Sequence, residues 1–212
     1  MAHGRRLRSR IRVALLAVLG TSFAASSTTG WGAPAHTQAD AVSRTCDQVD
    51  GGFTPTSITI PRVVAQTRVL ALGRDQHGVP RPPPLTEQGK WQVAWDKASG
   101  IRPGAHRGVV RLTAHTYPRD GSHGSALGNL LLTRLRTGAE LRVSGSEGEQ
   151  LCYRVVRQVR VRAENSLPGF YSSTGPSRLA ILVCSGIRRG PGDWSHRTVW
   201  YAEPTPAAPN GS

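Results

Sequence analysis

From residue 56 onward the chain is written in short blocks whose apolar residues either alternate with polar ones or run together, each block bounded by Gly, Pro, Asn, Asp or Ser. Alternation with a period of two marks a strand with one buried face, and a short unbroken apolar run marks a strand buried on both. "TSITIPRV" (56–63), "TRVLALG" (67–73), "GVVRLTAHT" (108–116), "GAELRVSG" (138–145), "EQLCYRVVRQVRVRAE" (149–164), "RLAILVCSG" (178–186) and "RTVWYAEP" (197–204) read as strands. They belong to a series of about eight, at the spacing of a barrel or sandwich. "SALGNLLLTRL" (125–135) predicts one short helix or a buried loop, while "GVPRPPPLTEQGKW" (78–91), with its prolines, predicts neither helix nor central strand. Two long connections, 165–177 and 185–196, are rich in Gly, Pro and Ser and suit binding loops on a rigid scaffold. No repeat or second domain is visible. Residues 54–204 form one domain, followed by a disordered tail at 205–212.

The N-terminus follows a different pattern. Arg5, Arg6, Arg8, Arg10 and Arg12 precede an apolar run from Val13 to Ala25 that Gly20, Thr21 and Ser22 interrupt. A basic segment before a short apolar one is the export pattern, and the run falls short of the roughly 20 residues a spanning helix needs. Residues 1–35 read first as a cleaved signal peptide, with an uncleaved membrane anchor as the competing reading. Residues 36–53 then form an exported arm. Either way the domain lies outside the cell membrane, at its outer face or in the cell wall.

Export changes the meaning of the charge. Five of the +14 formal charges sit in the basic N-terminal segment, so about +9 remains on the exported part. Nucleic acid is discounted as a partner, because no aromatic-interleaved basic stripe appears. An anionic wall polymer or lipid fits better, beside the plainer reading of an Arg-rich solvated surface.

Three cysteines in an oxidising compartment leave at least one unpaired. In "QLCYRVVRQVRVR" (150–162) alternation groups Leu151, Tyr153, Val155, Val159 and Val161 on one strand face and Cys152 with Arg154, Gln158, Arg160 and Arg162 on the other. Cys152 therefore faces outward, where Cys46, in the segment before the first strand, can reach it. A Cys46–Cys152 disulfide is the preferred pairing, and Cys184 is then the free thiol.

Cys184 ends an almost wholly apolar strand, and His115 ends another. Taken singly, each has a plain structural reading, as a packed thiol and a hydrogen-bonded histidine. Together, at strand ends next to flexible segments, they suggest a nucleophile with an imidazole to favour its thiolate. Arg197, at the start of the last strand, supplies a guanidinium for the oxyanion of a tetrahedral intermediate. A snorkelling edge arginine is its plainer reading.

With these residues in place, the chain resembles a sortase of the class E or class F kind found in high-GC Gram-positive bacteria. The likeness runs from about Thr54 to Pro204 and rests on "ITIPRVVAQTRVLALGRDQHGVPRPPP", "VVRLTAHT", "LTRLRTGAELRVSG" and "RLAILVCSG…HRTVWYA". It implies an all-β fold, a closed eight-stranded sortase-type barrel with long loops and one or two short helices. It implies a cysteine transpeptidase with Cys184 as nucleophile, His115 as imidazole partner and Arg197 as guanidinium. Surface proteins bearing a C-terminal Leu-Pro-x-Thr-Gly-like sorting signal would be the substrate and a peptidoglycan-precursor amine the acceptor, with no cofactor and no metal. Asp120 and Asp193 receive no role, and His123 is the fallback imidazole.

Departures from the family pattern are equally specific. Where the family reads Thr-Leu-x-Thr-Cys, this strand has Ala180, Ile181, Leu182 and Val183 before Cys184, and Ala114 stands where Gly often precedes the histidine. Both threonine hydroxyls are missing, which opens the prospect of slow turnover or an altered signal. A thiol hydrolase of peptides and a catalytically inactive barrel that binds wall polymer are the rival classes. For substrate grip, Leu167, Pro168, Phe170 and Tyr171 on one loop and Trp194 on the other offer an apolar wall. The competing reading is that these aromatics only pin their own loops. Arg178, Arg188 and Arg189 nearby would favour an acidic residue in the signal or an anionic acceptor.

Overall fold

Eight strands close on themselves around a single apolar interior. They are β1 (Ser57–Ile60), β2 (Val64–Leu72), β3 (Val93–Asp96), β4 (Val109–Ala114), β5 (Glu140–Ser144), β6 (Gln150–Arg162), β7 (Arg178–Gly190) and β8 (Asp193–Pro204). The order around the barrel is β1-β2-β3-β4-β7-β8-β6-β5. Pairs β2–β3 and β4–β7 are parallel and the remainder antiparallel. The computed structural model describes Cys46, Val49, residues 51–120 and residues 126–205. The expectations for residues 1–35, for most of the arm at 36–53, for His123 and for the tail beyond Thr205 lie outside the described residues. Among the described residues no helix is long and apolar enough to cross a membrane.

Strand alternation decides what fills the barrel. Val110, Leu112 and Ala114 of β4, Leu179, Ile181 and Val183 of β7, and Trp200 and Ala202 of β8 point inward and are buried. Helix α1 (Leu127–Arg134), with Leu135 just beyond it, lays Leu127, Leu131 and Leu135 against the same core.

Three elements differ from the reading of the sequence. Strand β3, "VAWD", is not singled out by pattern, because every one of its residues is buried and nothing alternates. The segment 185–196 is not a long loop: β7 runs on to Gly190 and β8 starts at Asp193, so a hairpin projects beyond Cys184. Gly186, at φ +82°, sits in the bulge between Ser185 and Arg188, where a Cβ would come within 2.3 Å of Ser195 Oγ and 2.7 Å of His196 Nδ1. In β6 a register shift between Val155 and Arg157 breaks the alternation. Val155 stays in the barrel core, whereas Val159 packs with the outward residues Val199 and Tyr201. Val159 and Val161 therefore do not share a face with Leu151 and Tyr153.

A second apolar cluster lies on the outside of β4, β7, β8 and β6. Phe170, from the connection 163–177, is wholly buried against Val109, Ala180, Val199 and Tyr201, with Leu167 beside it. At the other end of β6, Cys152 is joined to Cys46 in a disulfide with a Cα–Cα distance of 5.3 Å. Cys184 is the free cysteine.

Both features carry stability consequences. Replacing Cys46 and Cys152 together by Ser reopens a bridge across 106 residues, and loop-closure entropy puts the loss at up to about 4.7 kcal/mol. A fall in Tm of roughly 10 °C is expected for a domain of this size, and a melting curve under non-reducing conditions would show it. Phe170→Ala is expected to lose about 3–5 kcal/mol, read by denaturant unfolding; a loss below 1 kcal/mol would mean that the loop repacks without its anchor.

Candidate active site

Register brings three separated residues into one row. Ala114 of β4 pairs with Val183 of β7, so His115, the next residue, stands beside Cys184. Cys184 pairs directly with Arg197 of β8, and Arg197 pairs with Val161 of β6. Since Ala114, Val183 and Thr198 point inward, His115, Cys184 and Arg197 all point outward. The next row along the same face is Thr113, Leu182, Val199 and Val159, a mostly apolar floor in which Thr113 and Val199 are buried and Leu182 and Val159 partly exposed. Phe170 covers the row after that, at Ala180, about 13 Å along β7 from the thiol by strand rise.

The backbone around His115 is fixed from several sides. Thr116 Oγ1 donates to the Cys184 carbonyl at 2.6 Å. Asn129 of α1 accepts from the Tyr117 N–H and donates to the Tyr117 carbonyl, both at 3.1 Å. Gly128 lets the helix come this close, since a Cβ there would lie 2.1 Å from the His115 carbonyl oxygen. The His115 ring meets Tyr117 edge-on at 6.0 Å. A proline-rich segment, 80–84, crosses the outer face of β4: Thr113 Oγ1 donates to the Arg81 carbonyl at 3.3 Å, and the Pro83 carbonyl lies close enough to the His115 ring to favour its protonated form.

Burial dominates the titration of both reactive groups. It pushes the Cys184 thiol above its ordinary value, and the positive charge of Arg197 opposes this only in part. Burial also lowers His115, with the Pro83 carbonyl acting in the other direction. At neutral pH the resting pair is therefore thiol and neutral imidazole. The Arg197 guanidinium is anchored by bonds from one nitrogen to the carbonyls of Trp194 and His196, both 3.1 Å. His196 faces the opposite side of β8 and engages Ser195 Oγ at 2.8 Å.

The candidate binding residues separate into two groups. Leu167, Pro168, Phe170 and Tyr171 all lie on the connection that covers the outer face, so they share the side of Cys184. Phe170 is an anchor with no exposed surface, whereas Tyr171 is 45% exposed. Trp194 is three residues from Arg197 on a regular strand and points to the other side. There it lines a recess of about 500 Å³ with Thr116, Pro118, Arg119, Leu132, Gly186 and Arg188. Asp193 pairs with Arg189 at the hairpin tip. Among the described residues no cluster of His, Cys, Asp and Glu is suited to a metal ion.

The two positions that lack threonine do not open onto the floor. Val183 is packed in the barrel interior and Ala180 lies beneath Phe170. Residues that pattern reading passed over are Arg111, Asp96 and Thr116. Arg111 resembles any surface arginine in sequence, and only the fold buries it.

No protein-family model matches the chain, and no curated protein matches it. Solved structures do. Sortase C1 from Streptococcus suis is 16% identical over 76% of this chain and 78% of its own, with a TM-score of 0.51. Sortase C1 from Streptococcus agalactiae is 17% identical over 72% and 68%, also at 0.51. Its complex with MTSET gives 15% over 73% and 69%, again at 0.51. At these identities the likeness is one of fold: the closed eight-stranded barrel is the one these sortase C1 structures have.

Proposed function

We propose that the chain is an exported cysteine transpeptidase of the sortase kind, with the class E or F reading resting on its residues alone. The row His115–Cys184–Arg197 across three neighbouring strands, next to an apolar floor, is the observation that carries this. A Leu-Pro-x-Thr-Gly-like signal would lie over the partly exposed Leu182 and Val159, toward Leu167. Cys184 gives its proton to His115, and the thiolate sulfur bonds to the threonine carbonyl carbon. Arg197 stabilises the oxyanion. The Thr–Gly C–N bond then breaks, and His115 returns the proton to the leaving amine. The amine of a cell-wall precursor attacks the thioester carbon and gives a proton to His115; the C–S bond breaks as the new amide forms, and His115 returns that proton to the Cys184 sulfur. Arg119 and Arg188 around the recess suit an acceptor or wall polymer that carries negative charge.

Incubating the domain with a sorting peptide, with and without an amine acceptor, tests the reading. Transfer product supports it; acid product alone indicates a thiol hydrolase, and neither indicates an inactive wall-binding barrel. Cys184→Ala is expected to abolish the thioester adduct seen by mass spectrometry. His115→Ala and Arg197→Ala are expected to lower kcat/KM by about 10²–10³ each. Unaltered rates in either variant would remove that residue from the chemistry.

The pH dependence follows from the two shifts. Alkylation of Cys184 by iodoacetamide should rise through a midpoint above that of an ordinary cysteine. Arg197→Gln should move the midpoint higher, because it removes the one charge that lowers it. A midpoint at the ordinary thiol value would mean that burial does not control Cys184, and one below neutral pH would mean that the resting protein already holds a thiolate.

A further inference from the structure

A single buried side chain grips the connection 163–177 by its backbone. Arg111 of β4 points outward, yet only 2% of it is exposed. Its Nε donates to the Phe170 carbonyl at 2.9 Å, and one terminal nitrogen donates to the carbonyls of Tyr171 and Ser172 at 2.7 and 3.1 Å. The other terminal nitrogen donates to Asp96 Oδ2 at 3.2 Å. Asp96 is itself held by Arg74, whose Nε lies 3.1 Å from both carboxylate oxygens and whose terminal nitrogen lies 2.8 Å from one. The Tyr171 ring lies over the Arg111 guanidinium at 5.7 Å and meets Phe170 edge-on at 5.0 Å. Further back, Tyr201 on β8 donates to the Pro168 carbonyl at 2.5 Å.

Packing of Phe170 and the main-chain bonds from Val109 N–H to the Ser172 carbonyl and from Gly108 N–H to the Gly175 carbonyl, both 3.1 Å, attach this segment to the barrel and leave the carbonyls of Phe170 and Tyr171 unheld. Binding three carbonyls in succession to one planar guanidinium holds them, since the donors have fixed directions. Asp96 and Arg74 in turn fix the guanidinium plane. Of the side chains so placed, Leu167 is partly buried in the same outer cluster as Leu182 and Val199, and Tyr171, over Arg111, is 45% exposed.

We infer that Arg111 is a positioning residue for substrate selection: by holding the carbonyls of Phe170, Tyr171 and Ser172 it sets where the wall stands over Leu182 and Val199. It thereby sets affinity for the apolar part of the peptide and takes no part in acyl transfer. This rests on the transpeptidase reading above.

The test uses Arg111→Lys, which keeps the charge and loses the fork, and the milder Tyr201→Phe, which releases only Pro168. Each is assayed with the sorting peptide, with a peptide of the same sequence ending in a thiol-alkylating group, and with iodoacetamide. Arg111→Lys should raise KM at least about fivefold with kcat within about twofold. Labelling by the peptide alkylator should slow by the same factor while iodoacetamide labelling is unchanged, and amide exchange at 171–173 should accelerate. Tyr201→Phe should raise KM by about twofold. Faster exchange with unchanged KM would overturn the inference, as would a fall in iodoacetamide reactivity that shows the thiol itself disturbed. If Arg111→Lys fails to fold, an unchanged KM in Tyr201→Phe overturns it. Wild-type protein labelled faster by the peptide alkylator but forming no transfer product would reject the transpeptidase reading and leave the Arg111 comparison decisive on labelling rates.

Discussion

The interior of the barrel dictates where the chemistry stands. Leu179, Ile181 and Val183 must face inward to fill the core, and that requirement turns Ala180, Leu182 and Cys184 outward with no further choice. The same holds on the two flanking strands. Burial of Val110, Leu112 and Ala114 sends His115 out, and burial of Thr198, Trp200 and Ala202 sends Arg197 out. Hydrogen-bonded register between β4, β7 and β8 then sets the three at one level. Residues 69 and 13 positions from Cys184 meet because apolar side chains on the opposite face had to be buried.

A thiol placed this way is not activated for free. The half-buried position that brings Cys184 next to an apolar floor also raises the cost of its charged form. Arg197 answers part of that cost and is kept from swinging away by the carbonyls of Trp194 and His196. His115 is similarly constrained, with Thr116, Tyr117 and the proline-rich segment holding the chain on either side of its ring. Burying the thiol beside apolar surface and keeping a thiolate at rest pull in opposite directions here, and burial is the larger effect.

Much of this was legible in the sequence where pattern and burial coincide. Alternation and apolar runs located seven of the strands and left 125–135 as a short helix or a buried loop, which the fold resolves as α1, and the pairing logic of Cys46 and Cys152 followed from which face of β6 looks outward. Strand β3 escaped because "VAWD" carries no period, being buried on both faces, with Asp96 made tolerable there by Arg74, just past β2, and Arg111 of β4. Glycine and proline in "SGIRRGPGDWSH" read as a loop, yet Gly186 serves a bulge and Pro191–Gly192 a tight turn, so the strands continue through them. Trp194 was placed with the other loop aromatics on that assumption, and strand geometry sends it to the far side. Arg111 gave no signal at all, because its three carbonyl partners lie about sixty residues away.

The register shift at Val155–Arg157 makes β6 two strands spliced out of phase. Its first half supplies Tyr153 and Val155 to the barrel interior, and its second half supplies Val159 to the outer floor. Parity therefore constrains this strand more tightly than identity does. Inserting or deleting one residue between 157 and 162 would send Val159 or Val161 to the wrong side and present the neighbouring Arg160 to the floor, whereas a change of two residues would preserve the pattern. Lineages of this barrel should tolerate drift in which apolar residue occupies 159 and 161, while the odd residue count across the bulge stays frozen.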